Sequence, residues 1–351
     1  MSLFKNMLSS GESLFLNPIA LDYDYIPKLV PYRENQQHYM AQCIKPLLQE
    51  RNGKNLLITG TPGIGKTVAV KWVLKDLEEN TDNIECIYVN CWKKDTPYKI
   101  AVDICEQLGY PWTQTKRTED LLKEVIKSLN KKTAVIVLDE IDKLQELSIV
   151  YTLTEDVYKK SIFLITNDKE WLSKIDQRLK SRLMPETMEF KPYNREETEG
   201  ILKQRISYAF PKGVISNDTL KIISDKTYEI SDIRTGLFLL KESANIAENK
   251  GKKKVDLEEA QEAILRLSKG YNSKDVEGDS KEILELIKRL SGKSTQEIYD
   301  IYKQSSNISY RSFQRKIKEL ADLNQIQIEE INKGGKYHIV KYGSVKSLKE
   351  F

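Results

Sequence analysis

At 351 residues, 40% hydrophobic and 31% charged, the chain is too long for one ordinary core and is expected to fold as a water-soluble protein of two or three domains. No run approaches the roughly 20 apolar residues that a membrane span needs, so membrane partners are excluded. The net charge of +4 is too small to imply a nucleic-acid partner by itself, but between Lys281 and Phe351 there are 14 lysines and arginines against 9 acids, which places the basic excess at the C-terminal end.

Along the chain, residues 34–50 carry helical spacing and 55–59 form a short apolar strand. A glycine-rich turn follows, and helical spacing resumes over 68–79. Strands are expected at 84–89, 134–138 and 161–166, with helices at 98–108 and 119–129 between the first two. Residues 134–138 are apolar at every position, as in a sheet covered on both faces. Strands alternating with helices predict an α/β fold with a parallel sheet. From Asn194 the strand signals stop. Helical periodicity over 195–208, 216–226, 232–249 and 257–268 predicts a small helical domain, with Asn217 and Asp256 as caps. Residues 270–279 read as a linker. Three short helices, at 280–290, 295–304 and 310–322, are then followed by strands at 326–331 and 337–342 around a Lys-Gly-Gly-Lys turn. That order is the one of a winged helix-turn-helix. The expected domains are therefore 1–192 (nucleotide-binding), 193–272 (helical lid) and 276–351 (winged helix).

Cys43, Cys86, Cys91 and Cys105 form no C-x-x-C pair, and His38 and His338 are the only histidines. A zinc site and histidine catalysis are both disfavoured, and the cysteines read as reduced and structural. No secretory leader is visible. The expectation is a cytoplasmic, nucleoid-associated protein.

The strongest motif is Gly60-Thr-Pro-Gly-Ile-Gly-Lys-Thr67, which matches G-x-x-x-x-G-K-[ST] between a strand and a helix. Its glycines let backbone N–H groups converge on phosphate oxygens, and the following helix presents its positive end to them. ATP or ADP would be held by Thr61, Pro62, Gly63, Ile64, Gly65, Lys66, Thr67 and Val68, with Lys66 on the β- and γ-phosphates and Thr67 on Mg²⁺. An apolar strand delivers Asp139 and Glu140 to its C-terminal end, where ligands gather in open α/β sheets. A bare Asp-Glu ends many half-buried strands. Beside a complete phosphate loop, Asp139 becomes the second Mg²⁺ ligand and Glu140 the group that polarises the attacking water. Asn167 ends another buried strand, where it would either hold that water or the γ-phosphate, or cap a loop.

This order resembles the AAA+ ATPases. The resemblance makes Asn167 a first sensor and Arg234, in Ser231-Asp-Ile-Arg234, a second sensor on the γ-phosphate. It also implies an arginine that completes a neighbouring copy's site, either Arg182 in Ser181-Arg182-Leu183 or Arg178. Tyr25-Ile-Pro, Pro31-Tyr-Arg-Glu34, Val89-Asn-Cys-Trp-Lys-Lys-Asp-Thr-Pro-Tyr98 and Ser231-Asp-Ile-Arg234 narrow the resemblance to archaeal origin-recognition proteins related to Cdc-type helicase loaders. It covers nearly the whole chain. It implies a slow, switch-like ATPase that binds double-stranded origin DNA, recruits the replicative helicase and meets other copies or paralogs on DNA. An insertion pressing on DNA would present Lys116 and Arg117, in Thr113-Gln-Thr-Lys-Arg117. A paralog acting as an ATP-dependent transcription regulator on promoter DNA remains an open alternative.

In the helix at 310–322, Phe313, Ile317 and Leu320 fall on one face and belong to the core. Ser309, Arg311, Ser312 and Arg315 are then free for phosphates or base edges, and Lys333 and Lys336 flank a turn short enough for a minor groove. One departure from the family is the short link, about Ser305 to Asn307, between the second and third helices.

Overall fold

The computed structural model describes residues 13–342, apart from 112, 114, 275–278, 305, 307, 323–325 and 333–335. The chain divides into two compact units, Met1–Ala263 and Ile264–Phe351. The first begins with α1 (Glu34–Ile44), β1 (Leu56–Thr59), α2 (Lys66–Asn80), β2 (Ile84–Asn90), α3 (Pro97–Gln107) and α4 (Thr118–Leu129). It continues with β3 (Thr133–Asp139), α5 (Ser148–Asp156), β4 (Lys160–Thr166), α6 (Trp171–Lys174), α7 (Gln177–Leu183) and β5 (Glu186–Glu189).

The strands form one parallel sheet in the order β2-β3-β4-β1-β5. Successive residues of a strand point to opposite faces, and here both faces are covered. Ile136, Leu138, Ile162 and Leu164 pack with Ile100, Val125 and Leu153 on one side. Val135, Val137, Phe163 and Ile165 pack with Met40, Ala69 and Val73 on the other. Full burial on both sides explains why β3 and β4 read as unbroken apolar runs.

In the sheet part of this unit, three points of the expectation need correction. The helix predicted over 34–50 ends at Ile44 and tightens into a 3-10 turn, Lys45–Gln49, because Pro46 has no N–H for the α-helical ladder. A fifth strand, β5, pairs with β1 alone at the sheet edge. Its Glu-Thr-Met-Glu sequence carries no apolar run, since an edge strand is half solvated and favours charge. Helices α5, α6 and α7 also lie between predicted elements.

The helical part of this unit contains α8 (Arg195–Ala209), α9 (Asn217–Ile230), α10 (Ile233–Asn249) and the start of α11 (Leu257–Lys274). Asn194 caps α8 in a reciprocal capping box with Glu197. The cap of α9 is Ser216, whose Oγ accepts from the Thr219 N–H, and Asn217 is already helical. Helix α11 runs to Lys274, into the predicted linker. A lone glycine such as Gly270 costs a helix only about 1 kcal/mol and does not end it without a cap or a proline.

In the second unit, α12 (Asp279–Arg289), α13 (Thr295–Tyr302) and α14 (Tyr310–Asp322) pack on a small antiparallel sheet. Its strands β6 (Lys293–Ser294), β7 (Ile326–Asn332) and β8 (Lys336–Tyr342) lie in the order β6-β8-β7. The two-residue β6 was too short to be read from sequence. Ile283, Ile287, Ile298, Phe313, Ile317, Leu320 and Val340 make the core, so α14 buries the face its spacing requires. Tyr299 packs between Tyr310 and Phe313, with ring centroids at 4.9 and 5.3 Å.

Candidate functional site

The C-terminal ends of β1, β3 and β4 converge on the N-terminus of α2. Gly65 caps this helix at φ 85, and Gly63 has φ 74. A side chain at Gly63 would be strained and would collide with the Asp232 carboxylate, which sits 2.0 Å from an ideal Cβ position. The loop therefore admits a close approach only because it is glycine. The Ile233 N–H donates to the Gly63 carbonyl at 3.1 Å, which brings the start of α10 directly onto the loop.

Lys66 is buried. Its ammonium donates to the carbonyls of Gly60 (2.7 Å) and Thr61 (2.8 Å) and to Asn167 Oδ1 (2.8 Å). Burial pulls its pKa down to about 8, against an opposing pull from Asp139. Thr67 Oγ1 donates to Asp139 Oδ2 at 2.6 Å, and the Glu140 N–H donates to Asp139 Oδ1 at 2.9 Å. Glu140 stands in the left-handed region at φ 57, a conformation that costs a non-glycine residue free energy and recurs at functional sites. Burial, first, and the neighbouring Asp139 raise its pKa above its ordinary value, while Arg234 and Asn90 oppose the rise. Arg234 is exposed at the start of α10. Thr61, Pro62, Ile64 and Val68 complete the loop and the first turn of α2. Ile64 is buried, so it contributes its backbone.

Sequence reasoning missed several side chains of this site. Tyr88 OH donates to Asp139 Oδ2 at 2.8 Å. Arg33, also buried, donates to the Ile64 carbonyl (2.9 Å), the Lys191 carbonyl (2.8 Å) and Tyr193 OH (3.0 Å), which ties the phosphate loop to the segment before α1. Its guanidinium stacks on Tyr193 at 3.9 Å. Tyr88 sits near the C-terminal end of β2, a strand read from sequence only by its span, and Arg33 lies in a run noted only for its family likeness. Neither has a local motif to mark it.

Residues 49–167 match the AAA domain family, and residues 199–264 match the Cdc6 AAA+ ATPase-type lid domain. The ORC1-type DNA replication protein 1 of Sulfurisphaera tokodaii is 33% identical over 97% of this chain and 90% of its own. That of Sulfolobus acidocaldarius is 32% identical over 93% and 87%. The chain belongs to the ORC1-type DNA replication proteins. Among solved structures, Aeropyrum pernix ORC1 in complex with DNA superposes with a TM-score of 0.74 at 26% identity, covering 95% of each chain.

In this ORC1-type chain, the two arginines on α7 differ. Arg182 pairs with Glu155 and lies 5.8 Å from the Tyr151 ring, whereas Arg178 is exposed with its guanidinium unpaired among the described residues. Lys116 is drawn over the Tyr110 ring (4.9 Å) and towards Glu124 (3.9 Å), and Arg117 is exposed just before α4. Gln114, in the same basic stretch, lies outside the described residues. In the second unit, Arg311 and Arg315 are exposed on α14, and Ser312 is half-buried. Ser309 Oγ accepts from the Ser312 N–H at 3.2 Å, so it caps the helix. Lys336 opens β8. Lys333, with Ser305 and Asn307 of the short link, lies outside the described residues. Among those described, no helix is long and apolar enough to cross a membrane.

Proposed function

We propose that this chain is an ATP-regulated, double-stranded DNA-binding replication initiator that recognises origin DNA and recruits the replicative helicase. The observation carrying the proposal is that residues far apart in sequence meet at one strand-end site: Lys66 bonds Asn167, and Thr67 bonds Asp139. In this reading the phosphates of ATP or ADP take the place of the carbonyls around Lys66, and backbone N–H groups of residues 61–68 surround them. Asn167 and Arg234 then sense the γ-phosphate from the sheet and the lid. The Thr67 hydroxyl and Asp139 carboxylate are hard oxygen donors at hydrogen-bonding distance, a fit for Mg²⁺. Bound there, Mg²⁺ would neutralise phosphate charge. Glu140, with its raised pKa, accepts a proton from the attacking water. Slow hydrolysis fits a switch, in which the two nucleotide states differ in affinity for DNA and no stroke is driven.

Of the two α7 arginines, Arg178 is the better placed to complete a neighbouring copy's site, since Arg182 is already paired to Glu155. We read the second unit as a winged helix-turn-helix. Arg311 and Arg315 of α14, with Ser309 and Ser312, would face the major groove, and Lys333 and Lys336 would face a minor groove. Lys116 and Arg117 would add a second contact. The alternative role, an ATP-dependent regulator on promoter DNA, uses the same parts. A genome-wide map of binding sites decides between them. Occupancy concentrated at replication origins supports the initiator, and occupancy spread over promoters away from origins sinks it.

A further inference from the structure

We infer that Tyr88 is a positioning residue for the cation-binding half of the nucleotide site, holding the Asp139 carboxylate in one orientation through its hydroxyl. The inference rests on the reading of Thr67 and Asp139 as cation ligands.

Asp139 is 2% exposed, and three donors fix it. Glu140 N–H takes Oδ1 at 2.9 Å, while Oδ2 accepts from both Thr67 Oγ1 at 2.6 Å and Tyr88 OH at 2.8 Å. The terminal torsion of an aspartate is broad, so its carboxylate turns unless neighbours hold it. Thr67 alone is a poor holder, because its oxygen is the one a cation would take. Tyr88 has no such second duty. A phenol is also a neutral donor, so it orients the carboxylate without repelling a divalent charge as lysine or arginine would.

Tyr88 is itself held. Its N–H donates to Gln107 Oε1 (3.1 Å), and its carbonyl accepts from Gln107 Nε2 (2.9 Å), which clamps this point of β2 to α3. Its ring lies 4.5 Å from the Lys71 ammonium, one helical turn beyond Thr67 on α2. In register it stands opposite Val137, two residues before Asp139 on β3. One side chain thereby joins α2, β2 and β3 behind the carboxylate.

Calorimetric titration of ADP, in EDTA and again in excess Mg²⁺, tests this with the full chain. The quantity read is the gain in affinity that Mg²⁺ brings. Tyr88→Phe keeps the ring and its neighbours, so its affinity in EDTA should match wild type. Its Mg²⁺-dependent gain should fall about tenfold, the order expected for one hydrogen bond to a charged group. An undiminished gain in Tyr88→Phe overturns the inference. So does an equal loss with and without Mg²⁺, which marks a purely structural role. If wild-type affinity ignores Mg²⁺ altogether, the reading of Thr67 and Asp139 fails first, and the inference falls with it.

Discussion

Lys66 is a buried ammonium whose hydrogen-bond acceptors are all neutral oxygens, two carbonyls and an amide. Burial without a directly paired carboxylate lowers its pKa to about 8. Since the unfolded lysine titrates near 10.5, the unfolded chain binds more protons between those values. Stability carried by this residue therefore rises as pH climbs through that window. A bound polyphosphate restores the charged form, so nucleotide binding should take up protons. The uptake should be small at neutral pH and grow as pH rises through about 8. Titrating ADP in buffers of different ionisation enthalpy measures this, and no rise in uptake with pH would mean that burial does not hold the Lys66 ammonium below its ordinary pKa. Lys66→Ala should lose measurable nucleotide binding while retaining a cooperative melt. Glu140 presents a different balance. Its pKa is raised and its backbone is left-handed, and the proposed function makes it the acceptor of the water proton. Glu140→Gln should bind ATP like wild type yet fail to turn it over, with single-turnover assays as the check. Hydrolysis at the wild-type rate would acquit Glu140.

At the scale of elements, α14 divides its sides cleanly. Phe313, Ile317 and Leu320 are buried while Arg311 and Arg315 are exposed. If an arginine reads a base, Arg311→Ala or Arg315→Ala should cost about 1–3 kcal/mol on the preferred duplex and little on random DNA. Lys333→Ala with Lys336→Ala should weaken all duplexes alike and flatten the log–log salt slope by up to about two, since each phosphate contact contributes about 0.9. Anisotropy titrations across salt concentrations separate the two patterns, and a uniform loss from the arginines would make them phosphate contacts. Elements of this kind were legible because their apolar spacing matches one buried face. The same holds for β3 and β4, whose burial on both sides leaves an apolar run. What stayed hidden obeys other forces: β5 is an edge strand held by backbone bonds, and Pro46 cuts α1 through a missing donor. The phosphate loop was legible because a cradle of N–H groups demands glycines at fixed spacing. Tyr88 and Arg33 act across the fold, and only the packing of α2, β2, β3 and the segment before α1 brings them to it.

Over the whole molecule, charge and structure divide at nearly the same place. The units part between Ala263 and Ile264, and the basic excess lies between Lys281 and Phe351. Each unit has its own apolar core: sheet and helices in the first, Phe313 and its neighbours in the second. All the candidate nucleotide ligands belong to the first, since Arg234, the last of them, precedes the boundary. A chain stopped after Gly278 should therefore keep its fold and its ADP affinity, and lose most of its affinity for duplex DNA. What remains should come from the region of Lys116 and Arg117. Because Lys116 is already drawn towards Glu124, that remainder should be weak and should vanish at moderate salt. The converse fragment, from Asp279 onward, should bind duplex DNA with no response to ATP. Measuring both fragments beside the full chain at one ionic strength is the decisive comparison. If the chain ending at Gly278 holds duplex DNA as tightly as the intact protein, the C-terminal unit is not the main DNA contact, and its basic excess serves a solvated surface instead.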